Sequence, residues 1–383
     1  MPLHPLSVAA DLVGVNPAAT PLKTIFPSLS QEQRHGAALV GNEDPAWETL
    51  AQDDSISIYR KKAWKEIIEL TYGHTGTYLA AFDRGTLIDI LPFFLVKDPL
   101  GRKKLISTPY QGSNGGFMCQ DPGVRQDLIE KAMEFARAQQ VQYVEIRSIN
   151  PVPELEEAGF IVQKPFLVSI LPLSRVEENW QRLTPKHRRN VRHAARSGVD
   201  VQKARNYSDM QVFYDMLADH YKRLGIPFLG EKFFRLVWER LLCKDCGSLL
   251  IARHQGEIIG GHLMLFNGKT MVSKFSVTRH HDRYAKLYSA YALYWEAIRI
   301  GVERGLTAFD LGITGAGNVG LREFKTRLGA EEKPLHFYYY RLKGELPDYE
   351  SYYSAYKLPR LLWKHAPAWL TNRVGNLINT WIC

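Results

Sequence analysis

Apolar residues at 63, 64, 67, 68 and 70 recur at helical spacing, which predicts a helix over 61–72 closed by Gly73. The pattern then shifts to extended runs. Residues 78–82 and 87–96 flank Asp83-Arg84-Gly85, the chemistry of a tight reversal, and so predict a hairpin. A short strand at 105–109 enters the loop Gln111-Gly-Ser-Asn-Gly-Gly116. An amphipathic helix follows over 123–139, with Val124, Leu128, Ile129, Met133, Phe135 and Ala136 as its apolar positions. A strand at 141–146, a short helix at 154–159 and a strand at 166–171 complete this part. A second series then predicts helices at 176–183, 184–197, 208–224 and 231–242. Strands at 248–253 and 257–266 meet at Gln255-Gly256, and Asn267-Gly268 turns into a strand at 270–277. A long helix over 284–303 is capped by Gly305, and strands are expected at 308–311 and 336–340.

The two series share a plan. Tyr78-Leu-Ala-Ala-Phe-Asp-Arg-Gly-Thr-Leu-Ile-Asp-Ile-Leu and Ser248-Leu-Leu-Ile-Ala-Arg-His-Gln-Gly-Glu-Ile-Ile-Gly-Gly are hairpins of the same form. An internal duplication is the simplest account. Hairpins joined to crossover helices predict an α/β (α+β) protein with a twisted mixed sheet in each half. The expected division is an irregular arm at 1–45, domains at 46–172 and 173–345, and a tail at 346–383.

Composition adds bounds. The 383 residues are 45% hydrophobic and 23% charged, enough for a large core. The formal charge of +9 favours anionic partners if it clusters and aids solubility if it does not. Four cysteines, Cys119, Cys243, Cys246 and Cys383, do not form a disulfide framework, and they point to a reducing cytoplasm. Cys243-x-x-Cys246 lacks the two further ligands of a zinc site, so a helical pair packed in the core is expected. No apolar run of membrane-spanning length occurs, and no secretory leader is expected at the N-terminus.

Three segments carry candidate chemistry. Asp310-Leu-Gly-Ile-Thr leads through glycines 312, 315, 317 and 320 to Phe324-Lys325, so a strand end, an open backbone and a cation adjoin. A lysine there can stabilise a developing negative charge. Asp310 can orient an amine or accept a proton, or it can cap the following loop. The segment 182–196 holds Arg182, Lys186, Arg188, Arg189, Arg192 and Arg196 and no acid. Thr184 and Pro185 suit its helical start, and Arg188, Arg192 and Arg196 share a face. That face is either solvated or balanced by a phosphate-rich ligand. The tail at 357–383 interleaves Lys357, Arg360, Lys364 and Arg373 with leucine and tryptophan. It reads equally as an interfacial helix on anionic lipid or as a helix packed across the domain junction. The stripe Tyr284, Tyr288, Tyr291, Tyr294 and Trp295 is expected to pack in the core, and His262, His280 and His281 are bases without a partner motif.

The hairpin from Ile251 to Gly261 resembles the central hairpin of GNAT-type acyltransferases. Lys186-His-Arg-Arg-Asn-Val-Arg-His and Gly320-Leu-Arg-Glu-Phe-Lys-Thr-Arg-Leu-Gly329 resemble segments of the FemAB family, as do Tyr72-Gly-His and Asp89-Ile-Leu-Pro92. The resemblance spans roughly residues 46–345 and implies two tandem GNAT-like folds. It implies an acyl or aminoacyl transfer to an amine of a cell-envelope precursor, peptidoglycan or exopolysaccharide. Its donor would be aminoacyl-tRNA or acyl-CoA, with no bound cofactor. The acceptor would be diphosphate- or lipid-linked, with tRNA and a peripheral membrane contact among the implied partners. By the same resemblance Lys325 would stabilise the charge that develops as the amine attacks. Phe324 borders the donor, and Arg322 with Lys186, Arg188, Arg189, Arg192 and Arg196 binds substrate. Arg279-His-His-Asp-Arg-Tyr-Ala-Lys286 stands where acetyl-CoA enzymes carry a glycine-rich pyrophosphate loop, so the usual CoA mode is not expected. A non-catalytic module binding nucleic acid or membrane is the remaining reading.

Overall fold

A computed structural model of the protein describes residues 56–347 apart from 84–85, 111 and 113–114, together with 36–41, 44, 47, 50, 363–367, 375 and 378. Its strands form one twelve-stranded sheet in the order β1-β2-β3-β4-β5-β12-β6-β11-β10-β9-β8-β7. The strands are β1 (Gly36–Val40), β2 (Thr75–Asp83), β3 (Thr86–Lys97), β4 (Lys103–Ile106), β5 (Tyr143–Ser148), β6 (Ile161–Pro172), β7 (Asp200–Lys203), β8 (Gly247–His254), β9 (Glu257–Asn267), β10 (Thr270–Thr278), β11 (Ala308–Gly315) and β12 (Glu331–Arg341).

Read from its two edges, the order is the same series written twice. β1 to β4 and β7 to β10 are antiparallel runs. Each fourth strand then pairs in parallel with the fifth, Leu105 with Val144 and Met271 with Phe309. A parallel pair needs a crossover, supplied by α2 (Pro122–Ala138) in one series and α9 (Ser289–Glu303) in the other. The sixth strands are exchanged. β6 pairs with β11, β12 pairs with β5, and β6 and β12 pair antiparallel with each other. The two sheets expected from the sequence are therefore one continuous sheet, closed at its centre by Val168, Ile170, Leu335, Phe337 and Tyr339.

Helices cover both faces. α2 buries Leu128, Ile129, Ala132 and Met133 on the first series. α5 (Pro185–Arg196) and α9 lie over the second, with Ala194, Leu293, Ala297 and Ile298 buried. On the opposite face α1 (Lys62–Tyr72) shares a core with α6 (Tyr207–Leu224) and α7 (Glu231–Arg240) through Trp64, Ile67, Phe213, Phe233 and Phe234. Glu66 and Arg240 pair across that junction. The Ile58 N–H also donates to Asn267 Oδ1 at 2.7 Å, which pins the turn at Ile58–Arg60 to the end of β9.

Several expectations are corrected. Residues 36–40 of the expected irregular arm form β1, paired along β2, because Ala37 and Leu39 find partners only once β2 is in place. β7 escapes the periodicity because it is a short edge strand of polar residues. The helix expected over 284–303 is broken. Residues Asp282–Ala285 form α8, and Tyr288 at φ 51° separates it from α9. Tyr284 and Arg283 are both tied to Glu257 of β9, which holds α8 off the axis of α9. The cysteine pair is not packed in a helix. Cys243 is exposed in a 3-10 turn, and Cys246 is half-buried. The tail at 357–383 lies outside the described residues except for 363–367, 375 and 378. A Cβ at Gly375 would lie 3.4 Å from the Phe228 carbonyl oxygen and 3.3 Å from the Trp363 ring.

Candidate active site

The parallel pairing of β10 and β11 stops at Val272 and Asp310. Beyond that point β10 carries an irregularity between Ser273 and Phe275, and β11 one between Asp310 and Ile313. Two strands that part leave an opening walled by backbone groups. Gly312 shapes one wall. Its φ is +82°, and a Cβ would stand 3.3 Å from the Ser273 carbonyl oxygen, so a side chain would meet both a disfavoured backbone and the facing strand. The Gly312 N–H donates to Asp310 Oδ1 at 2.7 Å, which bends the chain back on the carboxylate.

Lys325 reaches this opening from α10 (Val319–Arg327), whose start is capped by the Asn318 side chain. Its Nζ donates to the Gly312 carbonyl and to Thr314 Oγ1, both at 2.7 Å. The side chain is buried, with the residue only 2% exposed. Burial brings its pKa down to about 8, against the opposing charges of Asp310 and Glu332. Asp310 is equally buried.

A second lysine, not anticipated from the sequence, stands on the other wall. Lys274 is 7% exposed and sits on the β10 irregularity. Its Nζ donates to the Tyr59 hydroxyl at 3.2 Å and lies 5.1 Å from the ring centroids of both Tyr59 and Trp64. Burial lowers its pKa to about 7, with the Asp310 charge opposing. The Tyr59 phenol is raised far above its ordinary value, first by burial and then by Asp310. One clue to Lys274 was present, a single charge inside the strand run Met271-Val-Ser-Lys-Phe-Ser-Val277. Tyr59 gave none, because 215 residues separate it from Lys274.

Phe324 turns the other way, into an aromatic cluster. It lies 5.4 Å from Tyr291, 5.1 Å from Tyr294 and 5.5 Å from His187. His187 descends from α5, with Nδ1 2.9 Å from Thr184 Oγ1, and is fully buried. Its Nε2 has no hydrogen-bond partner among the described residues. Burial, then the charges of Arg327 and Lys186, hold its pKa at about 4, so the imidazole is neutral at neutral pH. The tyrosine stripe of α9 packs inward, with Tyr294 against His262 and Phe309. His262 is a core residue whose Nε2 is 2.8 Å from Ser273 Oγ, and burial alone lowers its pKa to about 3.

The basic residues divide. Arg188 donates to the carbonyls of Leu183 at 2.7 Å and Gln181 at 2.9 Å, and so caps α4 (Val176–Arg182). Arg192 lies 5.2 Å from the Trp180 ring centroid. Lys186, Arg189 and Arg196 are exposed. Arg322 forks onto Glu332 of β12, at 2.9 Å from Nε and 2.7 Å from Nη2, and also donates to the Ala316 carbonyl. Asp89 lies in the first series, where it accepts from the backbone of Ile90, Met118 and Cys119 and clasps that loop to β3. The structure thus brings Asp310, Lys325, Lys274 and Tyr59 to one opening. Phe324 and His187 stand on its flank, and Arg188 and Arg322 are committed to the scaffold.

Antiparallel strands, a parallel fifth strand and an opening at the parting of the fourth and fifth define the GNAT acyltransferase fold. Residues 184–326 match the family model described as an acetyltransferase (GNAT) domain. Over nearly its whole length the chain also has the fold of FemX, at a TM-score of 0.67 and 14% identity, covering 84% of this chain and 100% of that one. L-PGS from Bacillus licheniformis is similar at a TM-score of 0.51 and 12% identity, over 85% of this chain and 98% of that one. A conserved protein of unknown function from Bacteroides thetaiotaomicron is similar at 0.52 and 14%, over 77% and 97%. At these identities the likeness is one of fold. No match was found among curated proteins. No helix among the described residues is long and apolar enough to cross a membrane.

Proposed function

We propose that the protein is an N-acyltransferase that moves an aminoacyl or acyl group onto an amine of a cell-envelope precursor, of peptidoglycan or exopolysaccharide. The observation that carries this reading is the opening between β10 and β11, with Asp310 and Lys325 buried on one wall. The free edges of parted strands can pair with an extended, amide-bearing donor. Lys325 spends two of its three N–H groups on Gly312 and Thr314. The third is available to the oxyanion that forms when an amine attacks the donor carbonyl. Asp310, held by the Gly312 N–H, orients the incoming ammonium. The donor is already activated, so positioning supplies much of the rate.

The match to the GNAT model favours an acyl-CoA donor as the second reading. Against it, the link between β10 and α9 holds the short helix α8 and a left-handed Tyr288 in place of a glycine-rich loop. An aminoacyl-tRNA donor is therefore preferred, with the exposed Lys186, Arg189 and Arg196 meeting its phosphates and the envelope precursor, diphosphate- or lipid-linked, as acceptor. The test is to incubate the full chain with charged tRNAs or acyl-CoAs and lipid-extracted envelope precursors, with and without RNase. RNase-sensitive labelling of the precursor is expected. RNase-insensitive transfer from acyl-CoA would overturn the tRNA donor. Binding of tRNA or vesicles without any transfer, unchanged in Lys325→Ala, would show a binding module instead of an enzyme.

A further inference from the structure

We propose that the cavity between the β8–β9 hairpin and α8 is a binding site for a phosphate ester, held by Arg279 together with Arg253 and Arg283. Binding there does not depend on the acyltransferase reading and is measured without transfer. The cavity has a volume of about 340 Å³. Arg253 enters it from the end of β8, Glu257 and Ile258 from the start of β9, and Arg279 from the residue after β10. Arg283 enters from α8 and Val212 from α6. No run of basic residues announces this cluster, because its arginines come from different elements.

The three arginines are not equally occupied. Arg253 Nη2 donates to Asp209 Oδ1. Arg283 Nη2 donates to Glu257 Oε2 at 2.8 Å and to the Tyr284 hydroxyl, and its guanidinium lies 4.4 Å from the Tyr284 ring centroid. Arg279 differs from both. Its backbone N–H donates to the Ile259 carbonyl at 2.8 Å, and its Nε donates to the Ile258 carbonyl at 2.7 Å. Those acceptors are neutral, and the Nη1 and Nη2 groups have no acceptor among the described residues. Three arginines beside two carboxylates leave one positive charge uncompensated. Like charges gathered around one cavity repel each other, and an anion among them relieves that. The Nε bond also fixes the guanidinium plane, so the Nη pair is oriented before any ligand arrives.

The directions of approach select the ligand. A planar carboxylate is satisfied by a single guanidinium fork. A phosphoryl group has oxygens pointing several ways and can accept from guanidiniums that arrive from β8, from the end of β10 and from α8. The volume stands at the lower end of small-molecule sites, and Val212 and Ile258 give the cavity an apolar side for the group that the phosphate esterifies. At a strand rise of about 3.3 Å per residue, Arg279 lies about 16 Å along the chain from Lys274. A phosphate held here anchors its ligand and stands clear of the reacting atoms in the opening.

Calorimetric titration of the full chain at pH 8 and low salt tests the site, with phenyl phosphate, inorganic phosphate and acetate as probes. Phenyl phosphate should bind tightest and acetate weakest. Arg279→Gln should weaken phenyl phosphate about 10- to 100-fold, as expected for a lost charged hydrogen-bond donor. Arg279→Lys should restore only part of that, because an ammonium has no fork. Glu257→Gln removes a carboxylate that competes for Arg283, so it should tighten binding about threefold, a gain that a misfolded chain cannot produce. Arg304→Gln removes the same charge at the pair with Asp245 and should leave binding unchanged. Acetate binding as tight as phosphate, or phenyl phosphate no tighter than phosphate, overturns the phosphate ester. Equal weakening by Arg304→Gln and Arg279→Gln, or no tightening in Glu257→Gln, overturns the site. None of these outcomes requires transfer, so this site and the acyltransferase reading fail separately.

Discussion

Replacing Lys325 with methionine separates the charge of the site from its packing. Methionine keeps an unbranched stem of similar reach and removes the ammonium with its three donors. Holding the buried ammonium at a pKa of about 8 against the ordinary 10.5 costs about 3 kcal/mol at neutral pH. Removing it returns that amount. The same change leaves the Gly312 carbonyl and Thr314 Oγ1 without their donor, at about 1–3 kcal/mol each. The two effects oppose each other and are of similar size, so the variant should fold within about 3 kcal/mol of the wild type. Activity should behave differently. An oxyanion donor lost from a dry site lowers kcat by about 100- to 1,000-fold, with little change in KM. The assay is steady-state transfer onto the precursor, read beside urea unfolding of the same samples at pH 8 and 10.5. The sign of the pH term is fixed by linkage. The unfolded chain binds the Lys325 proton more tightly, so wild-type stability rises with pH across that interval, and the difference between wild type and variant isolates the contribution of Lys325. A variant that retains kcat within threefold refutes the charge role. A difference curve that does not change with pH refutes the burial argument behind it.

Further outcomes follow from the same geometry. Gly312→Ala puts a Cβ at φ +82° beside the Ser273 carbonyl; it should cost about 1–3 kcal/mol by urea unfolding, and a smaller loss would show that the opening is not held by this residue. Asp310→Asn keeps an acceptor for the Gly312 N–H but removes a charge that raises the Lys325 pKa, so the rise of stability with pH seen in urea unfolding should begin at lower pH. Movement to higher pH would contradict the placement of Asp310. Arg188→Ala should lower stability with tRNA affinity nearly unchanged, whereas Arg196→Ala should weaken tRNA binding and reduce its salt dependence in a filter-binding assay. His262 is buried neutral and its pKa lies below the ordinary 6.5, so stability should fall as pH drops through 6.5 toward 3, by about 2–3 kcal/mol at pH 4.5. His262→Gln should flatten that decline in a urea series.

Much of the fold could be read along the chain. The hairpins around Gln255-Gly256 and Asn267-Gly268, the helix start at Thr184-Pro185 and the stop at Gly73 are local, and each appears where the turn or cap chemistry places it. The candidate site was legible in part. Asp310 and Lys325 lie 15 positions apart around a glycine-bearing loop, and that loop brings both to one opening. Arg188 misled because sequence spacing shows which residues share a helix face, not what covers that face. Only the packing of α4 against α5 turns Arg188 into a cap. Lys274 was hidden by its strand, and its meaning depends on Tyr59 and Trp64 arriving from another part of the chain.

By itself the sequence determined the repeated plan, most of its elements and the run from Asp310 through the glycines to Lys325, because periodicity, turn residues and caps act over a few neighbours. The tertiary structure alone decided that β6 and β12 change places and fuse the two series into one sheet. It alone decided that β10 and β11 part at Asp310, and that two lysines are buried around that carboxylate. Strand exchange and the burial of charge depend on contacts between distant segments, whose free energies appear only when the whole sheet has formed.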